Sequence, residues 1–441
     1  MKKSVISFFL LALFSVAFIP RVNVYSQAHN KAKTNYIDNE ILVKFKDSIE
    51  QLAGREQIAR EIFPVRGLNS ESLSRAGQRD LQLIHFDENL SVEEAVSRAT
   101  SDPRVEYAEP NYIYKTKDTI PNDPYFDQLW GLLDTSHEYP YMDVAAVKAW
   151  DITTGSDDVV IAVLDTGIDL SHPDLAPNAW VNPREIAGNG TDDDGNGFTD
   201  DINGWNFRDN NNRVFKNEND WHGTHVAGTI GAAGNNGLGI TGVAWHVKLM
   251  SLKFLSGENG SGSTADAVKA INYAIEQKQR GVNIRAINAS WGGDAASQSL
   301  QRAINKAGKA GIMFVAAAGN EHRDIDQLPE YPAAWSSELS SLISVAAMHG
   351  AGSIEDFSNY GHNNVSVGAP GSFIYSTIPG AGYGYADGTS MAAPHVSGII
   401  ALLASHEPDL TLAEVKHRII TTVEPHHTCS KVGKRGTSKR V

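Results

Sequence analysis

Residues 159–164 (VVIAVL) and 312–318 (IMFVAAA) are apolar runs of strand length with no polar interruption. A strand with one wet face alternates apolar and polar residues, so an unbroken run predicts a strand covered on both faces, as in a parallel sheet between helices. Residues 226–230 and 396–406 are apolar stretches of helical character, and 412–423 read as a final helix. From about residue 122 onward strands and helices alternate, which predicts an α/β unit: a mainly parallel sheet flanked by helices. A smaller pattern precedes it. Residues 40–45 (EILVKF) and 81–86 (LQLIHF) read as strands, 50–62 and 91–100 as helices, and 105–114 as extended chain, the order of a small α+β module. Ser91, with Glu94 three residues on, predicts a capping box. Residues 115–124 (KTKDTIPNDP) are polar and proline-bearing, as a linker is. At the start, Lys2 and Lys3 precede an apolar run at 5–19 that Pro20 and Arg21 end. Charge followed by a short apolar core is the order of a secretory signal peptide, and the run is too short to span a membrane comfortably. The expected division is a signal peptide at 1–26, a small unit at 27–117 and the large unit at 118–441, with export of a soluble product that has no membrane span.

Composition narrows the options. Among 441 residues there is one cysteine, so an internal disulfide and cysteine-based zinc modules are excluded. The formal charge of −14 argues against nucleic acid as a partner, which calls for a basic surface. The surplus is not spread evenly: residues 121–441 hold 22 basic and 36 acidic side chains.

Four segments carry candidate chemistry. Asp165 follows the run at 159–164, at the carboxyl end of a predicted buried strand, where α/β folds place catalytic groups. His222 opens HGTH beside a glycine, which permits close approach. Asn320 follows the run at 312–318 and offers an amide donor. Ser390, in GTSMAAPHV, falls in the first turn of a predicted helix, where unpaired N–H groups and the positive dipole end converge. Taken singly, Asp165 reads as a turn aspartate and Ser390 as an N-cap serine. Together they supply the nucleophile, base, orienting carboxylate and oxyanion donor of a Ser–His–Asp system. Two other readings compete. His222 and His225 could ligate zinc, but the glutamate of the helical metalloprotease pattern is missing. Asp-Thr-Gly also marks aspartic proteases, but these need a paired second carboxylate and the motif occurs once.

With these blocks in view, the chain resembles the subtilisin-like serine proteases, in their order Asp, His, Ser: VLDTGID around Asp165, HGTHVAGTI around His222, AAAGNE around Asn320 and GTSMAAPHVSG around Ser390. The resemblance covers roughly residues 122–425, most nearly that of thermitase-like members. It implies a subtilisin-like fold and a secreted, monomeric endopeptidase acting on polypeptides through an acyl-enzyme. It implies Ser390 as nucleophile, His222 as base, Asp165 as its orienting acid and Asn320 with the Ser390 N–H as oxyanion donors. INASWGG resembles the substrate strand, so Ser290, Trp291 and Gly292 are expected to pair with extended peptide. Ala317, Ala318 and Gly319 are expected to wall the primary pocket, with Glu330 at its base and Glu321 at its mouth. A carboxylate there could favour Lys or Arg before the scissile bond. The unit at 27–117 resembles the inhibitor-like propeptides of the family, which assist folding and then block the active site. Self-cleavage is expected between residues 114 and 121. The ending HHTCSKVGKRGTSKRV departs from the glycine-rich close usual in the family.

The acidic surplus points to calcium. Asp192, Asp194 and Asn196 are spaced by two, Gly197 follows, and Asp193, Asp200 and Asp201 are adjacent, a donor set suited to a hard oxygen-seeking cation. The twelfth position from Asp192 is Asn203, so this is a loop-type site and not an EF-hand. The resemblance implies a second, stabilising calcium at Asp123, Asp174 and Asn236 or Asn235.

Overall fold

The computed structural model describes residues 35–46, 52–64, 68–73, 81–86, 90–114, 118–133, 143–256 and 260–423. The expected signal peptide, residues 115–117 of the expected self-cleavage segment and the basic ending at 426–441 lie outside the described residues. The chain divides into two compact units, Met1–Lys117 and Asp118–Val441.

In the first unit, β1 (Tyr36–Phe45), α1 (Leu52–Ile62), β2 (Asn69–Ser72), β3 (Leu81–His85), α2 (Val92–Ser101) and β4 (Val105–Tyr112) build an antiparallel sheet of order β2-β3-β1-β4. Alternate residues Ile41, Val43 and Phe45 of β1 face a core shared with Ile58 and Ala59 of α1 and Ala95 and Ala99 of α2. The strand β2 is one the hydrophobic pattern does not announce. Its sequence NSES has no apolar face, and backbone pairing with β3 holds it at the sheet edge. Ser91 caps α2 by accepting the Glu94 N–H at 3.2 Å, but the Glu94 carboxylate turns to Arg98 at 2.6 Å. The reciprocal capping box opens the last helix instead, at Thr411 and Glu414.

The second unit contains α3 (Ala146–Trp150), β5 (Gly155–Asp165), β6 (Gly204–Asn206), α4 (Trp221–Gly231), β7 (His246–Lys253), α5 (Thr264–Gln279), β8 (Ile284–Ala289), α6 (Gln298–Lys309), β9 (Met313–Ala317), β10 (Leu342–Met348), β11 (Val367–Pro370), β12 (Ile374–Ile378), β13 (Gly382–Ala386), α7 (Thr389–His406) and α8 (Leu412–Thr421). Seven strands form one parallel sheet, β11-β10-β9-β8-β5-β7-β6. The physical meaning of VVIAVL is visible in β5. Val159, Ile161 and Val163 lie in the core with α4 and α7 on one face, and Val160, Ala162 and Leu164 in the core with α5 on the other. Each such fully buried aliphatic side chain contributes about 1.5–3 kcal/mol relative to exposure, so a polar residue on either face would be costly. The expected helix-flanked parallel sheet is therefore the fold. The chain leaving β7 crosses β5 to form β8, which makes the carboxyl end of β5 the crevice where open α/β sheets bind ligands.

Candidate active site

Asp165 ends β5 with no exposed surface. Its Oδ1 accepts the Thr166 N–H at 2.7 Å and lies 2.8 Å from His222 Nδ1. His222 is the second residue of α4, and Gly223 is what lets that helix come so close. A Cβ on Gly223 would fall 2.3 Å from the Gly167 carbonyl oxygen and 3.2 Å from Asp165 Oδ1. The Gly223 N–H also donates to Thr166 Oγ1 at 3.0 Å. A carboxylate against Nδ1 keeps the proton on that nitrogen and leaves the Nε2 lone pair able to accept one. Burial pushes the His222 pKa down, but the Asp165 charge and hydrogen bond outweigh it, and the net shift is upward. His225 serves the packing of α4 instead. Its Nε2 lies 3.1 Å from the carbonyls of both Ile374 and Gly384, and burial takes its pKa down to about 4.

Ser390 is the second residue of α7. Pro394 inside that helix has no N–H to offer the Ser390 carbonyl four residues back. The Ser290 hydroxyl supplies the missing donor at 2.8 Å. Asn288 Nδ2 donates to Ser290 Oγ at 2.9 Å, and Ser397 Oγ donates to Asn288 Oδ1 at 2.8 Å. A buried polar chain thus ties the end of β8 to the turn that carries Ser390. The Ser390 hydroxyl itself donates to the Ser290 carbonyl at 3.0 Å, not to His222.

Asn320 is oriented by Thr389, a residue that no sequence signal singles out. The Asn320 Oδ1 accepts both the N–H and the hydroxyl of Thr389, at 2.9 and 3.0 Å. A backbone N–H can only donate, so the amide carbonyl must face Thr389 and Nδ2 must face away. Gly388 supplies a convenient probe of where. It sits at φ +147°, and a Cβ built on it would lie 3.6 Å from Asn320 Nδ2 and 3.6 Å from the Ser390 nitrogen. The Asn320 amide nitrogen and the Ser390 nitrogen thus lie near one point beside the hydroxyl-bearing residue, with Asn320 Oδ1 3.8 Å from it.

Beyond β8, Ser290 is buried and Trp291 is anchored by its indole N–H to the Leu164 carbonyl at 2.9 Å. Among the described residues neither the N–H nor the C=O of Gly292 has a backbone partner, leaving an edge for strand addition. Ala317 and Ala318 are buried at the end of β9. Glu330 connects the two walls: Cβ atoms on Gly292 and Gly319 would fall 2.4 Å from its Oε1 and 3.1 Å from its Cγ. Its counter-ion has no signature in the sequence. Arg323 pairs with Glu330, reaches Asp294 at 2.6 Å and lies 3.9 Å from Glu321. Burial pushes the Glu330 pKa up to about 7, Glu321 adds to this and Arg323 opposes it. The carboxylate expected to attract a basic substrate side chain already has a cation.

The acidic loop sorts itself differently from the expectation. Asp192 and Asp200 direct their carboxylates at loop N–H groups, Asp192 at those of Asn196 and Gly197 and Asp200 at those of Gly188, Asn189 and Gly190. The oxygens that converge, within 4.8 Å of one another, belong to Glu185, Asp194 and Asp201. Glu185 lies outside the DDDGNG segment, and no local spacing marks it. Asn196 donates to Asp201 at 2.9 Å, and burial pushes the Asp201 pKa up to about 6. Asp123 and Asp174 are both buried. Asp123 Oδ2 accepts the Asn235 N–H at 2.6 Å and Asp174 Oδ1 accepts from Asn236 Nδ2 at 3.0 Å. Asp123 Oδ1 is buried with no hydrogen-bond partner, and burial together with the Asp174 charge raises its pKa. An orphaned carboxylate oxygen next to a second buried carboxylate fits an oxygen-seeking cation.

Comparison with known proteins agrees with this geometry. Residues 156–440 match the Subtilase family and residues 23–111 match the Fervidolysin N-terminal prodomain. The thermophilic serine proteinase of Bacillus sp. strain AK1 is 34% identical over 387 residues, covering 88% of this chain and 82% of that protein. Thermitase of Thermoactinomyces vulgaris is 37% identical over 285 residues, covering 65% and 85%. Among solved structures, a protease from Pseudoalteromonas arctica aligns with a TM-score of 0.54 at 33% identity, covering 69% of this chain and 93% of that one.

Proposed function

This chain belongs to the subtilase family of serine endopeptidases, and from that premise we propose that Asp165, His222 and Ser390 form its catalytic triad in an exported, self-processing zymogen. Ser390 Oγ attacks the scissile carbonyl. Rotation about its Cα–Cβ bond takes the hydroxyl from the Ser290 carbonyl to His222 Nε2, which accepts the proton and later delivers it to the leaving amine. Asp165 holds the tautomer and stabilises the imidazolium. Asn320 Nδ2 and the Ser390 N–H bind the oxyanion of each tetrahedral intermediate, and water then releases the acyl group. The peptide lies along residues 290–292, and the pocket between Gly292 and Ala317–Gly319 receives the side chain before the cut. Because Glu330 is paired with Arg323, a basic side chain in the pocket would have to compete with that cation for it.

The observation that carries this reading is the 2.8 Å contact of His222 Nδ1 with the buried Asp165 Oδ1, supported by the Asn320 and Ser390 nitrogens each lying 3.6 Å from one point beside Gly388. Asn320→Leu keeps the bulk and removes the Nδ2 donor together with the Oδ1 acceptor for Thr389. The expected result is a fall in kcat of about 10²–10³, or ~3–4 kcal/mol, the loss that removing the equivalent donor causes in the related subtilisin, with KM little changed. A variant that raised KM and left kcat alone would move Asn320 from the transition state to substrate binding.

The prodomain match supports the zymogen. The small unit acts as an intramolecular inhibitor until the chain is cut between residues 114 and 121. N-terminal sequencing of the active protein from the culture medium is expected to begin in that window. A start near residue 27 would make the small unit a permanent domain.

Calcium would be held by Asp123 and Asp174, with Asn235 or Asn236, and by Glu185, Asp194 and Asp201. It would supply fixed positive charge that lets these carboxylates pack together, and no step of the reaction passes through it. Chelation is expected to lower the melting temperature by roughly 5 °C for each site emptied. A site held at a hundred times its Kd adds about 2.7 kcal/mol, and each kcal/mol is worth roughly 2 °C in a unit of this size. Asp123→Asn should shrink that response. Identical melting curves with and without chelator would remove calcium from the account.

A further inference from the structure

The molecule buries a lysine that the chemistry above does not use. Lys253 ends β7 in register with Asp165 and has no exposed surface. Its ammonium contacts Asp220 Oδ1 at 2.6 Å, the Leu255 carbonyl at 3.0 Å and the Thr166 carbonyl. Asp220 is equally buried and immediately precedes α4, two residues before His222. Its second oxygen accepts the Lys216 N–H at 2.7 Å, and its carbonyl accepts the Thr224 hydroxyl at 3.2 Å. The lysine stem runs beneath the Asp165-Thr166-Gly167 turn, with Cδ 3.2 Å from where a Gly167 Cβ would be.

Such a pair is a poor way to gain stability. Desolvating two charges costs as much as their attraction returns, and replacing a buried pair by apolar residues is often neutral or stabilising. What this pair does is join two elements that must meet accurately. One end holds the residue after Asp165, and the other holds the residue that opens the His222 helix. We propose that Lys253 and Asp220 form a buried clamp that positions the Asp165–His222 couple, a role in the reaction exerted through geometry and not through contact with substrate. The inference rests on the triad reading above. Among the described residues, the charged and titratable groups that face His222 and the clamp are Asp165 from β5, Lys253 from β7, and Asp220 and His225 from the segment that carries His222.

The test uses protein expressed as the full chain and allowed to process itself, normalised to sites that a fluorophosphonate probe labels in each processed preparation. The variants are Lys253→Met, Asp220→Ala and the double variant Lys253→Met/Asp220→Leu. The single variants leave one buried charge unpaired and are expected to melt lower. The double variant removes both charges and is expected to recover most of that stability. If the pair is a positioning clamp, kcat falls about 10–10²-fold in all three, the loss that small misplacements of reacting groups cause, and KM stays within twofold. The acid limb of the kcat/KM profile moves to lower pH, because a loosened Asp165 no longer raises the His222 pKa. The double variant remains slow although it is stable again. A double variant that recovers both stability and kcat, with an unmoved acid limb, makes the pair merely structural and overturns the proposal. Failure of the probe to label the parent chain at Ser390 would instead sink the triad reading.

Discussion

Ser390→Ala is expected to cut kcat by about 10⁶-fold, the loss measured for the nucleophile of the related subtilisin, while the variant folds and melts as the parent does. The fold should tolerate the change. The Ser390 hydroxyl makes one hydrogen bond, to the Ser290 carbonyl, and the Ser290 hydroxyl still satisfies the Ser390 carbonyl that Pro394 leaves free. The oxyanion donors also survive, since one is a backbone N–H and Asn320 is held by Thr389. Catalysis should therefore fall to the remnant that binding and oxyanion stabilisation supply without a nucleophile. The variant chain should also stop processing itself, so the full-length form accumulates. Turnover of casein at anything near the parent rate would place the nucleophile elsewhere.

Asp165→Asn should lower kcat by about 10⁴-fold. Asp165 Oδ1 serves two donors, the Thr166 N–H and His222 Nδ1, and Oδ2 is buried without a partner. An asparagine has no good way to lie there. With its carbonyl toward His222 it loses the charge that stabilises the imidazolium and buries two N–H donors where Oδ2 had no neighbour to offer. Flipped, it presents N–H to Nδ1 and puts the proton on Nε2, the wrong tautomer for a base. The pH profile gives a second readout. The base works when neutral, so kcat/KM rises with pH through the His222 pKa. In the parent that midpoint should lie above the ordinary imidazole value of ~6.5, because Asp165 more than offsets burial. In Asp165→Asn the raising influence is gone, and the residual activity should rise at lower pH. An unchanged midpoint would mean that the carboxylate does not govern His222.

Much of this was legible in the linear sequence because the relevant forces are local or periodic. A strand buried on both faces must be apolar throughout, so VVIAVL announces β5 and places Asp165 at its end. The helix starts at His222 and Ser390 are marked by the glycines that precede or follow them and by the apolar stretches behind them. What stayed hidden depends on which groups the folded loops and element ends bring together. Thr389 orients Asn320 across 69 residues, Arg323 takes up the Glu330 charge only because a loop folds back, and Glu185 joins Asp194 and Asp201 from outside the motif. Lys253 gave one faint sign, a lysine closing the otherwise apolar end of β7, but its partner Asp220 lies 33 residues earlier. The strand β2 could not be read at all, because NSES has no apolar alternation to announce its pairing with β3. The acidic loop shows the same limit from the other side. Its composition suits a cation, but which carboxylates converge and which cap their own loop is decided by the turns between them.

The central claim is that Ser390 is an activated nucleophile. It is tested most directly by treating the processed protein with a fluorophosphonate and locating the adduct by peptide mass spectrometry. One adduct per chain is predicted, on the peptide carrying Ser390, and absent after heat denaturation. Full proteolytic activity in a preparation with no adduct on Ser390 would contradict it.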